Sequence, residues 1–352
     1  MKENEIDNRG GKNEFCYKCS KTPKTASDTE ASHRLSHREE FATQNTPEKS
    51  GASAGMGSDS IPFLGIAFSP VPERPAISKA KKLSRTELTK LESHLTARDH
   101  AVLVTIRKYR FLTSTQVGRL FFTNCTTKTS RSRNQNLLLK RLSGYGLIKP
   151  LKRRVGGEGG GSSQQVWHLT EAGQRLLTLN DPDSIKRKRI LEPQPLFLEH
   201  TLAIAECAVQ MTSLCRYSAD LNLVAIDAEP TCWRRYLDDG NAVYLKPDLF
   251  TITTNENYED RWFIEMDLGS ESPRQVVDKC NSYLHYYYTG IEQKESGMFP
   301  LVVWIVKDNK RKERLKEYIR DSIKAQPKMF LVITPDELEN TLRGNTDIKE
   351  LC

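Results

Sequence analysis

The sequence predicts an α+β protein: an N-terminal tail read as disordered, then a winged helix-turn-helix domain, then an α/β domain. Three observations predict this. Residues 128–154, KTSRSRNQNLLLKRLSGYGLIKPLKRR, carry nine basic residues and no acidic one, laid out as a helix, a turn and a strand. A Gly-rich loop, GGEGGGSSQQVWHLT, follows as a hairpin tip. Beyond a basic stretch, SIKRKRI, the apolar period changes to an alternation of strands and helices.

The elements follow in order. Residues 1–94 are rich in Lys, Glu, Ser, Thr and Asn, with one short apolar patch at Ile61–Phe68, too little to offset the entropy of ordering. Thr96 and Asp99 form a capping box that opens a helix through Ala101, Val102, Val104 and Ile106. Thr113 and Ser114 cap a second helix holding Val117, Leu120 and Phe121. A third begins near Ser130, with Leu137, Leu138 and Leu142 toward the core and Arg131, Arg133, Asn134 and Gln135 outward. Gly144 and Gly146 end it. Leu147–Leu151 is a wing strand, Val166–Leu169 returns antiparallel, and Glu171–Leu179 closes the domain at about residue 180.

Residues 181–195, with Lys186 to Arg189, form a basic linker. The α/β domain spans 196–335: helix Leu196–Arg216, strands Asn222–Asp227, Lys246–Thr253 and Arg261–Leu268, then helix Pro273–Tyr288. Leu301–Val306 (LVVWIV) suits a central strand buried on both faces. Helix Arg311–Lys324 and strand Met329–Ile333 follow, and residues 336–352 form a C-terminal tail.

A chain of 352 residues allows about two domains plus extra material. Its net charge of +8 and pI near 9.0 favour a polyanionic partner. No apolar run approaches the ~18 residues of a membrane span, so no membrane partner is expected. The first residues lack the apolar core of a signal peptide. Eight Cys are scattered, several in apolar segments (Cys207, Cys215, Cys280), where a reduced thiol acts as a small hydrophobe. A cytoplasmic location is the expectation.

The expected partner is double-stranded DNA. Arg131, Arg133, Asn134, Gln135 and Lys140 can reach base edges or phosphates from the third helix. Lys152, Arg153 and Arg154 sit where a wing meets the backbone or minor groove. A solvated basic face used for protein contacts is the plainer alternative.

In the α/β part, Pro247-Asp248 leads into one strand, and Glu265-Met266-Asp267 lies in the next after sixteen intervening residues. Acids at the centres of adjacent strands converge, and Mg²⁺ suits such all-oxygen ligands. This spacing resembles the PD-(D/E)xK nuclease superfamily, whose helix, three strands, helix and strand match residues 196–306. The resemblance implies a restriction-endonuclease-like domain in which Asp248 and Glu265 bind Mg²⁺, with Glu206 as an extra acid. The family's Lys position is Asp267 here. Lys279, or less readily Arg274, on the following helix is the candidate substitute, and Gln275 and Tyr283 are further helix-borne polar residues. The candidate catalytic set is therefore Asp248, Glu265, Asp267 and Lys279. Ordinary strand-end acids on a nuclease-like scaffold are the plainer reading.

Taken together, WHLTEAGQRLL after the wing, then PDLF, FIEMDLGSES and YLHYYY, resemble the replication-relaxation family of plasmid and mobile-element proteins. The likeness covers about residues 95–325. It implies an accessory or initiator role in replication, relaxation or mobilisation of such an element, alongside other replication or mobilisation proteins. Two alternatives stay open: a winged-helix transcriptional regulator with a sensing or dimerising C-terminal domain, and a Mg²⁺-dependent site-specific nicking endonuclease.

At the N-terminus, Cys16, Cys19, His33 and His37 have the spacing of a Cys₂His₂ zinc site, although the stretch between lacks the residues that pack beside such a finger. His200 reads as a packed or partly exposed helix residue rather than a ligand. Tyr286, Tyr287 and Tyr288 read as core-completing aromatics, with stacking on unpaired bases as the sharper alternative.

Overall fold

The first half of the chain builds a helical cluster around a small sheet. The computed structural model describes residues 22–23, 83–155, 164–179, 192–255 and 258–345. Helix α1 (Arg85–Glu92) precedes α2 (Ala97–Tyr109), α3 (Ser114–Phe121) and α4 (Lys128–Gly144). Strands β2 (Leu112–Thr113), β4 (Gln164–Leu169) and β3 (Ile148–Val155) form an antiparallel sheet in that order, and α5 (Glu171–Leu176) follows. A two-residue strand, β1 (Thr22–Pro23), pairs at the start of the second half's longest strand.

The expected Thr96–Asp99 capping box is present, with Asp99 N–H donating to Thr96 Oγ1 at 3.2 Å and Thr96 N–H to Asp99 Oδ2 at 3.0 Å. Thr113 caps α3 with Gln116 in the same reciprocal way. Helix α1 lies within the stretch expected to be disordered. It forms because Ser84 and Glu87 make a capping box and Leu88 is fully buried. The zinc candidates Cys16, Cys19, His33 and His37, the patch at Ile61–Phe68 and the linker basics Lys186 to Arg189 lie outside the described residues.

Two core assignments shift by one residue. Leu137 is 60% exposed and Val104 36% exposed, while Leu139 and Leu103 are buried. Gln135, expected outward, is buried as well. The period of α4 explains this: 135, 138, 139 and 142 share one stripe, and 137 falls beside it.

The second half is a mixed sheet ordered β11-β10-β9-β8-β5. Its strands are β5 (Asn222–Ala228), β8 (Leu249–Thr254), β9 (Tyr258–Asp267), β10 (Leu301–Val306) and β11 (Phe330–Ile333). The last three run parallel, and β8 and β5 are antiparallel neighbours. Helix α6 (Pro195–Tyr217) covers one face through Ile204, Ala205, Ala208 and Met211 against Ile264, Met266, Val303 and Ile305. Helices α7 (Pro273–Tyr288) and α9 (Asn309–Ser322) cover the other, through Val276, Tyr283, Leu315 and Ile319 against Phe263, Val302 and Trp304. All six residues of β10 are buried, as a two-faced central strand requires.

Shorter elements flank the sheet in this half. A separate hairpin, β6 (Arg234–Asp238) and β7 (Asn241–Leu245), stands off the main sheet. Helix α8 (Ile291–Ser296) follows α7. Helix α10 (Leu338–Leu342) buries Leu338 and Leu342 in a stretch read as tail. The described residues belong to one compact unit, and a single apolar cluster runs from α2–α4 through α6 into the sheet. The chain is thus a mixed α+β protein. Among the described residues no helix is long and apolar enough to cross a membrane.

Candidate functional site

Two constellations emerge, one basic and one acidic. The basic one is α4 with β3. Thr127 caps α4 by accepting the Ser130 N–H at 3.1 Å, and the first turn holds no acid. Arg133, Asn134 and Lys140 are exposed, as are Lys149 and Lys152 on β3. Arg131 is half-buried, and among the described residues its Nε has no partner. The side chains of Arg153 and Arg154 and residues 156–163 lie outside what the structure describes.

Gln135 is the correction here. A Cβ on Gly118 of α3 would lie 1.7 Å from Gln135 Oε1, so the missing side chain lets α3 and α4 approach and places Gln135 in their seam. Arg141 is likewise structural, donating to Asp99 Oδ1 at 2.5 Å. Burial would raise the Asp99 carboxyl, but hydrogen bonds from Arg141 and Thr96 outweigh it and hold the group below its ordinary value.

The seating of α3 involves Glu206. Gln116 Nε2 donates to Glu206 Oε2 at 3.0 Å and to the Leu202 carbonyl at 3.3 Å, and Arg119 pairs with Glu206 Oε1. Glu206 therefore serves the contact between α3 and α6 and is not an added acid beside Asp248.

The acidic constellation lies at the end of β9. Glu265 and Asp267, two apart on one strand, share the face covered by α7 and α9. Asp248 precedes β8, with its N–H on the Ile264 carbonyl at 3.1 Å. Lys279 comes from two turns into α7 and donates to Glu265 Oε2 at 3.0 Å and Glu271 Oε1 at 2.9 Å. Tyr283, one turn further on, donates to Glu265 Oε1 at 2.6 Å. Asp248 Oδ2 accepts the Met266 N–H at 2.8 Å, and its Oδ1 lies 3.2 Å from His200 Nε2.

Asp267 departs from its expected role. Arg311 Nε donates to its Oδ2 at 2.6 Å and the Gly269 N–H to its Oδ1 at 2.7 Å. Asp308 caps α9 and sets Arg311 one turn in, where the guanidinium also donates to the Glu271 carbonyl at 2.7 Å. Sequence reasoning missed Arg311, because nothing local marks a pair separated by 44 positions. It also read His200 as a packed or partly exposed helix residue and not as a partner of Asp248. Gln275 accepts the Ser272 N–H and so caps α7, and Arg274 is 92% exposed.

The electrostatics follow from burial. Glu265 is 1% exposed, and burial together with the Asp248 charge pushes its carboxyl up to about 8 against the pull of Lys279 and Tyr283. Burial disfavours the Lys279 ammonium, but Glu265, Asp248 and Glu271 outweigh it and hold Lys279 above its ordinary value. The hydrogen bond to Asp248 raises His200 against its own burial. Burial, then Glu265, raises the Tyr283 phenol.

These residues do not fit a resident Mg²⁺. Both oxygens of each of the three acids already face protein hydrogen-bonding groups. Lys279 and Arg311 supply the cations that a metal would otherwise supply. Among the described residues, no three His, Cys, Asp or Glu side chains form a group able to hold a metal ion. The arrangement is a closed network of buried acids and their own cations.

A family model described as replication-relaxation matches residues 103–302, and the chain belongs to that family. No curated protein and no solved structure matches it.

Proposed function

We propose that this member of the replication-relaxation family binds double-stranded DNA as an accessory or initiator protein, in replication, relaxation or mobilisation of a plasmid or integrated element. Residues 95–180 are read as a winged helix-turn-helix, with α3 and α4 as the paired helices and β3–β4 as the wing. The restriction-endonuclease-like α/β domain is read as a non-catalytic scaffold that meets other replication or mobilisation proteins.

One observation carries this reading. Arg133, Asn134 and Lys140 on α4 and Lys149 and Lys152 on β3 are solvent-exposed within a stretch that has no acid from 128 to 154. Exposed cations on a helix and an adjoining strand suit phosphates flanking a groove, and Asn134 offers base-edge hydrogen bonds. Gln135 and Arg141 hold the helix in place rather than reading DNA.

The test is fluorescence anisotropy with a labelled duplex at several salt concentrations. Arg133→Glu/Lys140→Glu should weaken binding and reduce the slope of log affinity against log salt by about 0.9 for each phosphate no longer neutralised. Affinity and slope equal to wild type would overturn the assignment of α4 to DNA.

A further inference from the structure

The hairpin β6–β7 is a two-stranded ribbon outside the main sheet, and its two faces differ. The inner face is anchored. Tyr236 packs against Tyr286 with ring centres 5.1 Å apart, Leu245 is buried, and Arg234 pairs with Glu292 while lying 4.3 Å over the Phe250 ring. The outer face presents Arg235 and Leu237 from β6 and Tyr244 and Lys246 from β7 and its end.

Those outer residues interleave rings and cations. Arg235 stands directly opposite Tyr244 in the register. Lys246 Nζ lies 5.0 Å from the Trp233 ring centre and 6.0 Å from that of Tyr244, so one ammonium sits between two aromatics. Tyr244 is 48% and Leu237 68% exposed. Among the described residues neither Arg235 nor Lys246 has an acidic partner, while Asp238 at the turn is taken by His285 at 3.1 Å.

We propose that the outer face of this ribbon binds single-stranded nucleic acid, with a base stacking on Tyr244 and phosphates meeting Arg235 and Lys246. A ring lying on a strand offers its flat face to a base, and an adjacent cation offers charge to the backbone. Duplex bases are already stacked on each other and leave no ring face open to Tyr244. The ribbon leads straight into Pro247 and Asp248, so an unpaired strand held there lies next to the acidic network in the chain.

The experiment uses the full chain and labelled oligothymidylate of about 16 nucleotides, with a duplex as second probe. Wild type binds the oligothymidylate, and Tyr244→Ala weakens that binding about tenfold, the effect of losing one stacked base. Lys246→Glu weakens it too and lowers the salt slope by roughly 0.7. Both variants keep duplex affinity within about twofold, which also reports that they are folded. Arg133→Glu/Lys140→Glu does the reverse, losing duplex and keeping single strand, so failure here is distinguishable from failure of the duplex assignment. No binding of oligothymidylate by wild type, as for a ribbon built for a protein partner, overturns the inference. Equal single-strand affinity of wild type and Tyr244→Ala overturns it as well.

Discussion

Replacing Arg311 by Met keeps most of the apolar stem but removes the guanidinium that neutralises Asp267. The Asp267 side chain is 0% exposed and that of Arg311 9%, so solvent cannot take over the role. The change strips the 2.6 Å bond to Asp267 and the 2.7 Å bond to the Glu271 carbonyl, leaving the Gly269 N–H as the remaining donor to that acid. Removing one partner of a buried pair typically costs about 3–5 kcal/mol, because the other charge is stranded. At about 2–4 °C per kcal/mol, the melting temperature falls by about 6–20 °C. Urea denaturation at neutral pH, followed by tryptophan fluorescence, measures the loss of stability, and a thermal melt the fall in temperature. The double change Asp267→Asn/Arg311→Met should recover most of the loss, since no buried charge then lacks its partner. A loss under about 1 kcal/mol, the range of an exposed pair, would refute the reasoning and return Asp267 to the pool of free acids.

Three more predictions rest on neighbouring packing and charge. A Cβ on Gly173 would lie 2.1 Å from the Leu147 carbonyl oxygen, so Gly173→Ala should lower stability by about 1–3 kcal/mol, seen as a lower urea midpoint; an unchanged midpoint would contradict the tight seating of α5. The Glu265 carboxyl, pushed up to about 8, lies well above the roughly 4.3 of an unfolded chain, so the folded state holds the extra proton between those values. Its contribution is therefore most favourable at acid pH and is lost as pH rises toward 8, with a slope of at most about 1.4 kcal/mol per pH unit; the difference between wild type and Glu265→Gln should show this slope, and parallel curves would contradict it. Arg119 and Glu206 are partly exposed, so a double-mutant cycle on them should return about 1 kcal/mol or less.

Much of this was legible in the sequence because the periods are strong. The all-apolar LVVWIV became a strand buried on both faces, and Pro273–Tyr288 forms α7 with its expected bounds. The phase of α4 was not legible, since three consecutive leucines at 137–139 do not say which points inward; the seam of Gln135 against Gly118 decides it. The ribbon did carry a signal. Asp239-Gly240 between two β-rich runs is a two-residue turn with both φ values positive, 47° and 80°, as a type I′ hairpin requires. Within the acidic network, the reach of Lys279 from α7 followed from the helix-borne position of a cation after the acids. Arg311 did not, because its pairing with Asp267 depends on β10 carrying the chain across the sheet.

The most direct measurement incubates supercoiled plasmid with wild type and Asp248→Ala, each with and without Mg²⁺, and resolves the products on an agarose gel that reports retardation and nicking together. A DNA-binding protein with a closed acidic network should retard the plasmid in both forms and leave it supercoiled in every lane. Mg²⁺-dependent conversion to open circles by wild type, abolished by Asp248→Ala, would contradict it.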